Sequence, residues 1–309
     1  MKILITGAAG TLSAAVSTEL SKEGHLLIKT DINERVPEIQ KMDVANRDSI
    51  RFVMESQRPD YVFHFAAATD VDACEKDPGR AFLINAAGTE NIALACREQD
   101  ISLLYVSTGA VFYGDKPEPY TESDTPRPLN VYGKSKLAGE AAVQSILKRY
   151  FIIRAGWMIG GWDLDKKFVY KVVKQLRHGE RDLAAVNDKF GSPTFTKDFA
   201  ARLTGIISTE RYGIYHLVNK GTCSRFDIAL KIVEFMGLER SVKVRPVDST
   251  SFSLPAPRGR SEMLHSERLS LLGCGDMPHW EEALREYIEI NRDKYIPHDE
   301  KSKYSHPRV

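Results

Sequence analysis

Cysteine is scarce: Cys74, Cys96, Cys223 and Cys274 are the only four in 309 residues, and no two form a Cys-x-x-Cys pair. That spacing excludes a disulfide framework and a structural zinc site, expects no metal, and fits a chain kept reduced in the cytoplasm. Blocks of basic charge are missing as well. With 43 Lys and Arg against 42 Asp and Glu, the formal net charge is +1, and no stretch offers an electrostatic footprint for a nucleic-acid backbone. No apolar run approaches a membrane span, and only Ile3 to Ile5 stand between Lys2 and Thr6, too few for the core of a signal peptide. Internal repeats and low-complexity tracts are also absent.

What remains is an ordinary globular composition, 42% hydrophobic and 28% charged, long enough to bury a sizeable core. The first half alternates short apolar runs with helix-period segments, the rhythm of a doubly wound α/β parallel sheet of the Rossmann type. Strands are expected at Ile3–Ile5, Leu26–Thr30, Tyr61–Phe65, Ile101–Ser107 and Phe151–Arg154. Helices are expected near Thr11–Lys22, Asp48–Ser56, Gly79–Arg97 and Val131–Lys148. From about Ala155 the rhythm loosens. The pattern therefore predicts a dinucleotide-binding domain over 1–155 and a smaller α/β C-terminal substrate lobe over 156–309, with segments near 195–220 returning to the first sheet through the strand-like run Gly213–Val218. A basic helix, Lys166–Arg177, and amphipathic helices at Phe226–Met236 and Trp280–Ile290 belong to the lobe, and Pro297–Val309 reads as a loose tail.

Directly after the first strand stands Thr6-Gly7-Ala8-Ala9-Gly10-Thr11-Leu12-Ser13, with a helix opening at once. Strand, glycine turn and helix in that order make a phosphate site. Gly7 and Gly10 permit the turn, and the amides at Thr11 and Leu12 open a helix whose positive end suits a pyrophosphate. Asp31 ends the second strand about 20 residues on, where a carboxylate can accept from both adenosine ribose hydroxyls. The cofactor expected is NAD(H) or NADP(H), with NAD favoured because the same charge repels a 2′-phosphate. Lys29 and Arg35 lie close enough in sequence to offset that repulsion.

Tyr132 and Lys136 stand four apart at the start of a predicted helix, so both emerge on one face. A phenol of pKa about 10 serves as an acid near neutrality only if its phenolate is stabilised by about 4 kcal/mol, and the Lys136 ammonium has the right sign for that. A second Tyr-x-x-x-Lys, Tyr170 to Lys174, shows that spacing alone proves little. Only Tyr132 is preceded by a strand-end hydroxyl pair, Ser107-Thr108, 24 residues earlier; the corresponding residue before Tyr170 is Ile146. Tyr132 is thus expected to protonate a carbonyl oxygen that receives hydride, with Thr108 donating to the developing oxyanion and Lys136 tuning the phenol and holding the nicotinamide ribose. His64 and His216 read as satisfied strand residues.

Taken in order, Thr-Gly-x-x-Gly, Ala66-Ala67-Ala68, Asn85, Ser107-Thr108 and Tyr132-x-x-x-Lys136 resemble the extended short-chain dehydrogenase/reductases. Within that superfamily Pro128 to Glu140, Asn187 to Thr194, Gly213 to Leu217 and Trp280 to Leu284 are similar to dTDP-4-dehydrorhamnose reductases. The resemblance implies a reductase of the 4-keto group of a nucleotide-linked deoxysugar, acting as a cytoplasmic homodimer. It implies that Asp43, Val44, Ala66, Ala67, Ala68 and Ser107 lie along the dinucleotide. It further implies that Thr69, Val71, Asn130 and Trp157 contact the sugar, and that Arg258 holds the diphosphate with its planar fork. Three departures stand out: Ser13 replaces a third glycine, Gly109-Ala110 replace an Asp-Tyr pair, and Arg258-Gly259 with Glu262 replace Arg-Pro and a following Ser. A nucleotide-sugar epimerase or dehydratase shares the same Thr, Tyr and Lys, and a non-catalytic dinucleotide-binding regulatory subunit shares the same fold.

Overall fold

The computed structural model describes residues 1–33, 38–165, 167–274 and 276–291. Arg35, Lys166 and the tail Pro297–Val309 named above lie outside the described residues. Seven parallel strands form the central sheet: β1 (Lys2–Thr6), β2 (Leu26–Asp31), β3 (Gln40–Lys41), β4 (Tyr61–His64), β5 (Ser102–Thr108), β6 (Tyr150–Ala155) and β7 (Gly213–His216). Their order across the sheet is β7-β6-β5-β4-β1-β2-β3. The chain winds outward in both directions from β1 and β4, and the carboxyl ends of those strands diverge into a crevice, where such sheets take their ligands. Central strands covered on both faces read as unbroken apolar runs, which is why Ile3–Ile5 and Leu103–Tyr105 are fully buried.

One face is covered by helices Thr11–Lys22 and Thr196–Ile207, whose Leu12, Val16, Leu20, Phe199, Leu203 and Ile206 share a core with β1 and β6. The other is covered by helices Arg47–Gln57, Gly88–Glu98 and Val131–Ile146. A separate apolar cluster fills the small lobe beneath helices Phe168–Arg177, Arg225–Phe235 and Trp280–Ile290. The long helix expected over Gly79–Arg97 is interrupted. Pro78–Phe82 and Gly88–Glu98 are α-helical, while Leu83–Ala87 form a π turn. Asn85, fully buried within that turn, bonds Ala68 through both amide atoms, at 2.8 and 3.0 Å, and donates to Ser135 Oγ at 3.0 Å. The wider turn lets one side chain knit three segments, and wide turns of this kind gather at functional sites.

Ser13 sits fully buried where the third glycine was expected, and its hydroxyl donates to the Gly7 carbonyl at 2.7 Å. The extra atoms are thus accommodated and satisfied, locking the turn to the helix that follows it. Among the described residues no helix is long and apolar enough to cross a membrane, and no group of three or more His, Cys, Asp or Glu is placed to hold a metal.

Candidate active site

Gly7 adopts φ +69°, and a Cβ there would lie 2.6 Å from the Ala66 amide nitrogen, so only glycine lets β1 turn this close to the end of β4. The Gly10 amide closes the turn on the Gly7 carbonyl at 3.0 Å, and the Thr11–Lys22 helix begins with no side-chain cap. An uncapped helix N-terminus behind a glycine turn leaves amides for an anionic group. Leu12 buries its side chain in the core and contributes only backbone there, while Gly161 of the small lobe packs against Thr11. Asp31, at the end of β2, accepts from the Ala9 amide at 3.0 Å and the Asn33 amide at 2.9 Å. Farther along the crevice Asp43 accepts from the Ala45 amide at 2.9 Å, and Val44 is buried against Gly88. Ala66, Ala67 and Ala68 are half-buried on the crevice floor after β4, followed by the exposed Thr69 and by Val71, which starts the helix Val71–Lys76.

Of the catalytic candidates, Thr108 and Tyr132 come together, and Lys136 follows Tyr132 one turn on in the same helix. Thr108 is the last residue of β5, and Ala110 N–H donates to its Oγ1 at 3.1 Å, which leaves the hydroxyl proton for another acceptor. The Tyr132 hydroxyl lies within hydrogen-bond reach of it. Burial pushes the Tyr132 phenol up to about 12, and the hydrogen bond from Thr108 pulls the other way. Lys136, one turn on, is 2% exposed; its Nζ donates to the Val106 carbonyl at 2.8 Å and lies 4.1 Å from the Tyr105 ring centroid. Burial lowers Lys136 to about 7, opposed by the Glu140 carboxylate. The sequence argument expected a phenol lowered by its ammonium neighbour. Here desolvation dominates both groups, which keeps the proton on Tyr132, the form an acid needs before reaction. Gly133 brings the helix against the loop after β5: a Cβ there would lie 2.0 Å from the Ala110 carbonyl oxygen.

Four residues expected to meet cofactor or substrate are held by contacts within the protein. Ser107 points away from Thr108, as alternation along a strand demands, and donates to Glu140 at 2.5 Å. Asn130 is buried, capping the catalytic helix through Gly133 N at 2.9 Å and donating to the Pro257 carbonyl at 3.1 Å. Arg258 forms a two-pronged ion pair with Asp72, each prong 2.9 Å. Trp157 donates from Nε1 to Glu262 at 2.9 Å. Glu75, unforeseen, accepts from the first amide of the catalytic helix, that of Val131, at 2.9 Å. Tyr170 packs edge-on to Trp162, as expected of a structural tyrosine.

His64 is fully buried and neutral. Thr6 Oγ1 accepts the amides of Phe65 and Ala66, so its proton goes to His64 Nδ1 at 2.7 Å; Nε2–H then faces Thr89 Oγ1 at 3.0 Å, whose proton goes to the Asn85 carbonyl. Burial, with the Lys136 charge, lowers its pKa from 6.5 to about 3. Between those values the unfolded chain binds the proton and the folded chain does not, so this contribution to stability is complete above pH 6.5 and is lost as pH falls toward 3. Urea unfolding free energy should decline on acidification with a share of up to about 1.4 kcal/mol per pH unit from this residue. His64→Gln should flatten the slope by that share, and an unchanged slope would reject the assignment.

The family described as RmlD substrate binding domain matches residues 1–292. A dTDP-4-dehydrorhamnose reductase of Mycolicibacterium smegmatis is 34% identical over 290 residues, 93% of this chain and 85% of that protein. The spore coat polysaccharide biosynthesis protein SpsK of Bacillus subtilis is 34% identical over 93% of this chain and 97% of its own length. Among solved structures, the dTDP-4-dehydrorhamnose reductase of Bacillus anthracis in complex with NADP superposes with a TM-score of 0.85 at 35% identity, covering 94% of this chain and 100% of that one. A UDP-glucose 4-epimerase of Thermus thermophilus in complex with NAD shares the fold, with a TM-score of 0.81 at 22% identity, covering 94% of this chain and 99% of its own.

Proposed function

The chain belongs to the RmlD substrate binding domain family, and from that premise we propose that it reduces the 4-keto group of a dTDP-linked 6-deoxysugar with a reduced nicotinamide dinucleotide. The observation that carries this reading is the approach of Tyr132 to Thr108 at the carboxyl end of β5, with the buried Lys136 one turn along the same helix. The dinucleotide fits the crevice, since the turn Gly7–Gly10 carries nothing larger than the methyl groups of Ala8 and Ala9 and the helix N-terminus behind it is uncapped. Gly7, Gly10, Thr11 and Leu12 would hold the pyrophosphate by their amides, Asp31 the adenosine ribose, and Ala66–Ala68 and Lys136 the nicotinamide end. Bound there, the cofactor supplies hydride to the substrate carbonyl carbon.

Tyr132 holds a proton at its phenol oxygen and releases it to the substrate oxygen. Thr108 donates to the same region and lowers the cost of negative charge there. Lys136, when protonated, stabilises the phenolate left behind. In this reading the Rossmann portion serves the dinucleotide and the small lobe the nucleotide sugar, in a cytosolic homodimer; the free cysteines suit a reducing compartment.

The deciding experiment mixes enzyme, dTDP-4-keto-6-deoxysugar and reduced cofactor and follows reduced-nicotinamide absorbance. Net stoichiometric oxidation is expected. An isomerised sugar with no net consumption would replace the reductase by an epimerase, and no turnover of any nucleotide sugar would favour a regulatory partner. NADH should give the higher kcat/KM, since the Asp31 carboxylate repels a 2′-phosphate; a preference for NADPH would overturn that role for Asp31.

A further inference from the structure

One wall near Tyr132 is assembled from separated stretches of the small lobe. Parallel pairing of Ser261–Glu262 with Phe190–Gly191 sets Glu262 beside Gly191. A Cβ at Gly191 would stand 2.4 Å from Trp157 Cε2, so the missing side chain is what lets the indole lie against that strand. The Arg225 guanidinium covers the indole at 3.8 Å from a ring centroid, and Phe168 flanks the guanidinium at 5.2 Å. An indole packed this way is a poor stacking surface for a sugar. Its N–H edge instead fixes Glu262 Oε2 at 2.9 Å, and among the described residues Trp157 is the only hydrogen-bond donor to that carboxylate.

The Glu262 charge reaches both Tyr132 and Arg225: it adds to the burial that raises the phenol and opposes the burial that lowers the guanidinium. A half-buried carboxylate with one oxygen engaged calls for a donor at the other. Phosphates are acceptors and anions, and a carboxylate repels them; the hydroxyls of a sugar ring are neutral donors. After β5, Gly109 and Ala110 are buried and carry no polar side chain, and Leu264, two residues beyond Glu262, packs over Gly109.

Building on the reductase reading, we infer that Glu262 is a specificity-determining residue whose second carboxylate oxygen accepts a hydrogen bond from a ring hydroxyl of the sugar presented to Tyr132. Trp157 and Arg225 are its positioning residues: the first fixes one oxygen, the second supplies a counter-charge without closing an ion pair.

The test compares wild-type enzyme with Glu262→Leu on a dTDP-4-keto-6-deoxysugar and on its 2-deoxy and 3-deoxy analogues. Leucine is close in size and has neither a donor nor an acceptor, so the sugar contact is lost whichever way the hydroxyl points. KM is expected to rise about 10- to 100-fold, the worth of a hydrogen bond to a charged group, with a smaller change in kcat and an unchanged dissociation constant for the reduced cofactor. The analogue lacking the recognised hydroxyl should penalise wild type by the same factor and the variant not at all. Trp157→Phe, which keeps the ring beneath Arg225, should give a smaller KM rise. A variant with wild-type KM, or an analogue penalty that persists in the variant, overturns the inference while the reductase reading stands. A wild type that turns over no nucleotide sugar overturns the reductase reading before any substitution is made.

Discussion

Replacing Tyr132 by phenylalanine lowers kcat at least ~100-fold, the usual scale for losing a general acid, while leaving dinucleotide binding largely intact. The hydroxyl is all that changes. The ring stays at the first turn of a helix anchored by Asn130 and Glu75, and Gly133 keeps that helix against the Ala110 carbonyl, so no other part of the site should move. Without the phenol, the Thr108 hydroxyl still donates to the oxyanion but has no proton to give up easily, and water must deliver it. Steady-state oxidation of the reduced cofactor reads the loss, and fluorescence titration of the cofactor reads the retained binding. A variant keeping more than roughly a tenth of the wild-type kcat would mean that another group supplies the proton. Lys136→Met should also be impaired but with cofactor binding weakened, because that residue is assigned to both partners.

The strands of the parallel sheet were legible because buried strands are apolar runs, and the crevice because a glycine turn after a first strand has few other uses. β3 is only Gln40–Lys41, too short and too polar for any pattern to reveal. The helix Thr196–Ile207 carried a usable signal, Phe199, Ala200, Leu203, Ile206 and Ile207 on one face, but its N-terminus lacks a side-chain cap to mark the start. Tyr132, Lys136 and Thr108 could be read from spacing since two lie on one helical turn and the third ends a strand. Arg258 could not, because its partner Asp72 is far away in sequence and an ion pair leaves no local trace. The wall of Trp157, Gly191, Arg225 and Glu262 was illegible for the same reason: its members come from three strands and a helix start, and none follows a period. In sequence Glu262 is only a departure from the family pattern, and its meaning lies in the indole that holds it.

Beneath the catalytic helix lies a buried ion pair that should dominate stability. Glu140 and Arg154 have side chains only 1% and 2% exposed, joined by Arg154 Nε to Oε1 at 2.9 Å and Nη2 to Oε2 at 2.6 Å, with Ser107 donating to the same carboxylate. Arg154 Nη1 is buried without a partner, so the guanidinium depends on Glu140 for its neutralisation. Glu140→Leu should therefore cost about 3–5 kcal/mol in urea unfolding, since it strands a buried cation between β6 and the helix. Adding Arg154→Met should recover most of that loss, because a well-packed apolar pair replaces a buried ion pair at little net cost. Activity should not recover with stability. Glu140 is one turn beyond Lys136 and its charge opposes the burial that lowers Lys136 to about 7, so the double variant should leave Lys136 mostly neutral at that pH and the phenolate of Tyr132 unsupported. A double variant as unstable as the single would show that packing rather than charge sets the cost. One restored in both stability and kcat would show that the pair serves only the fold.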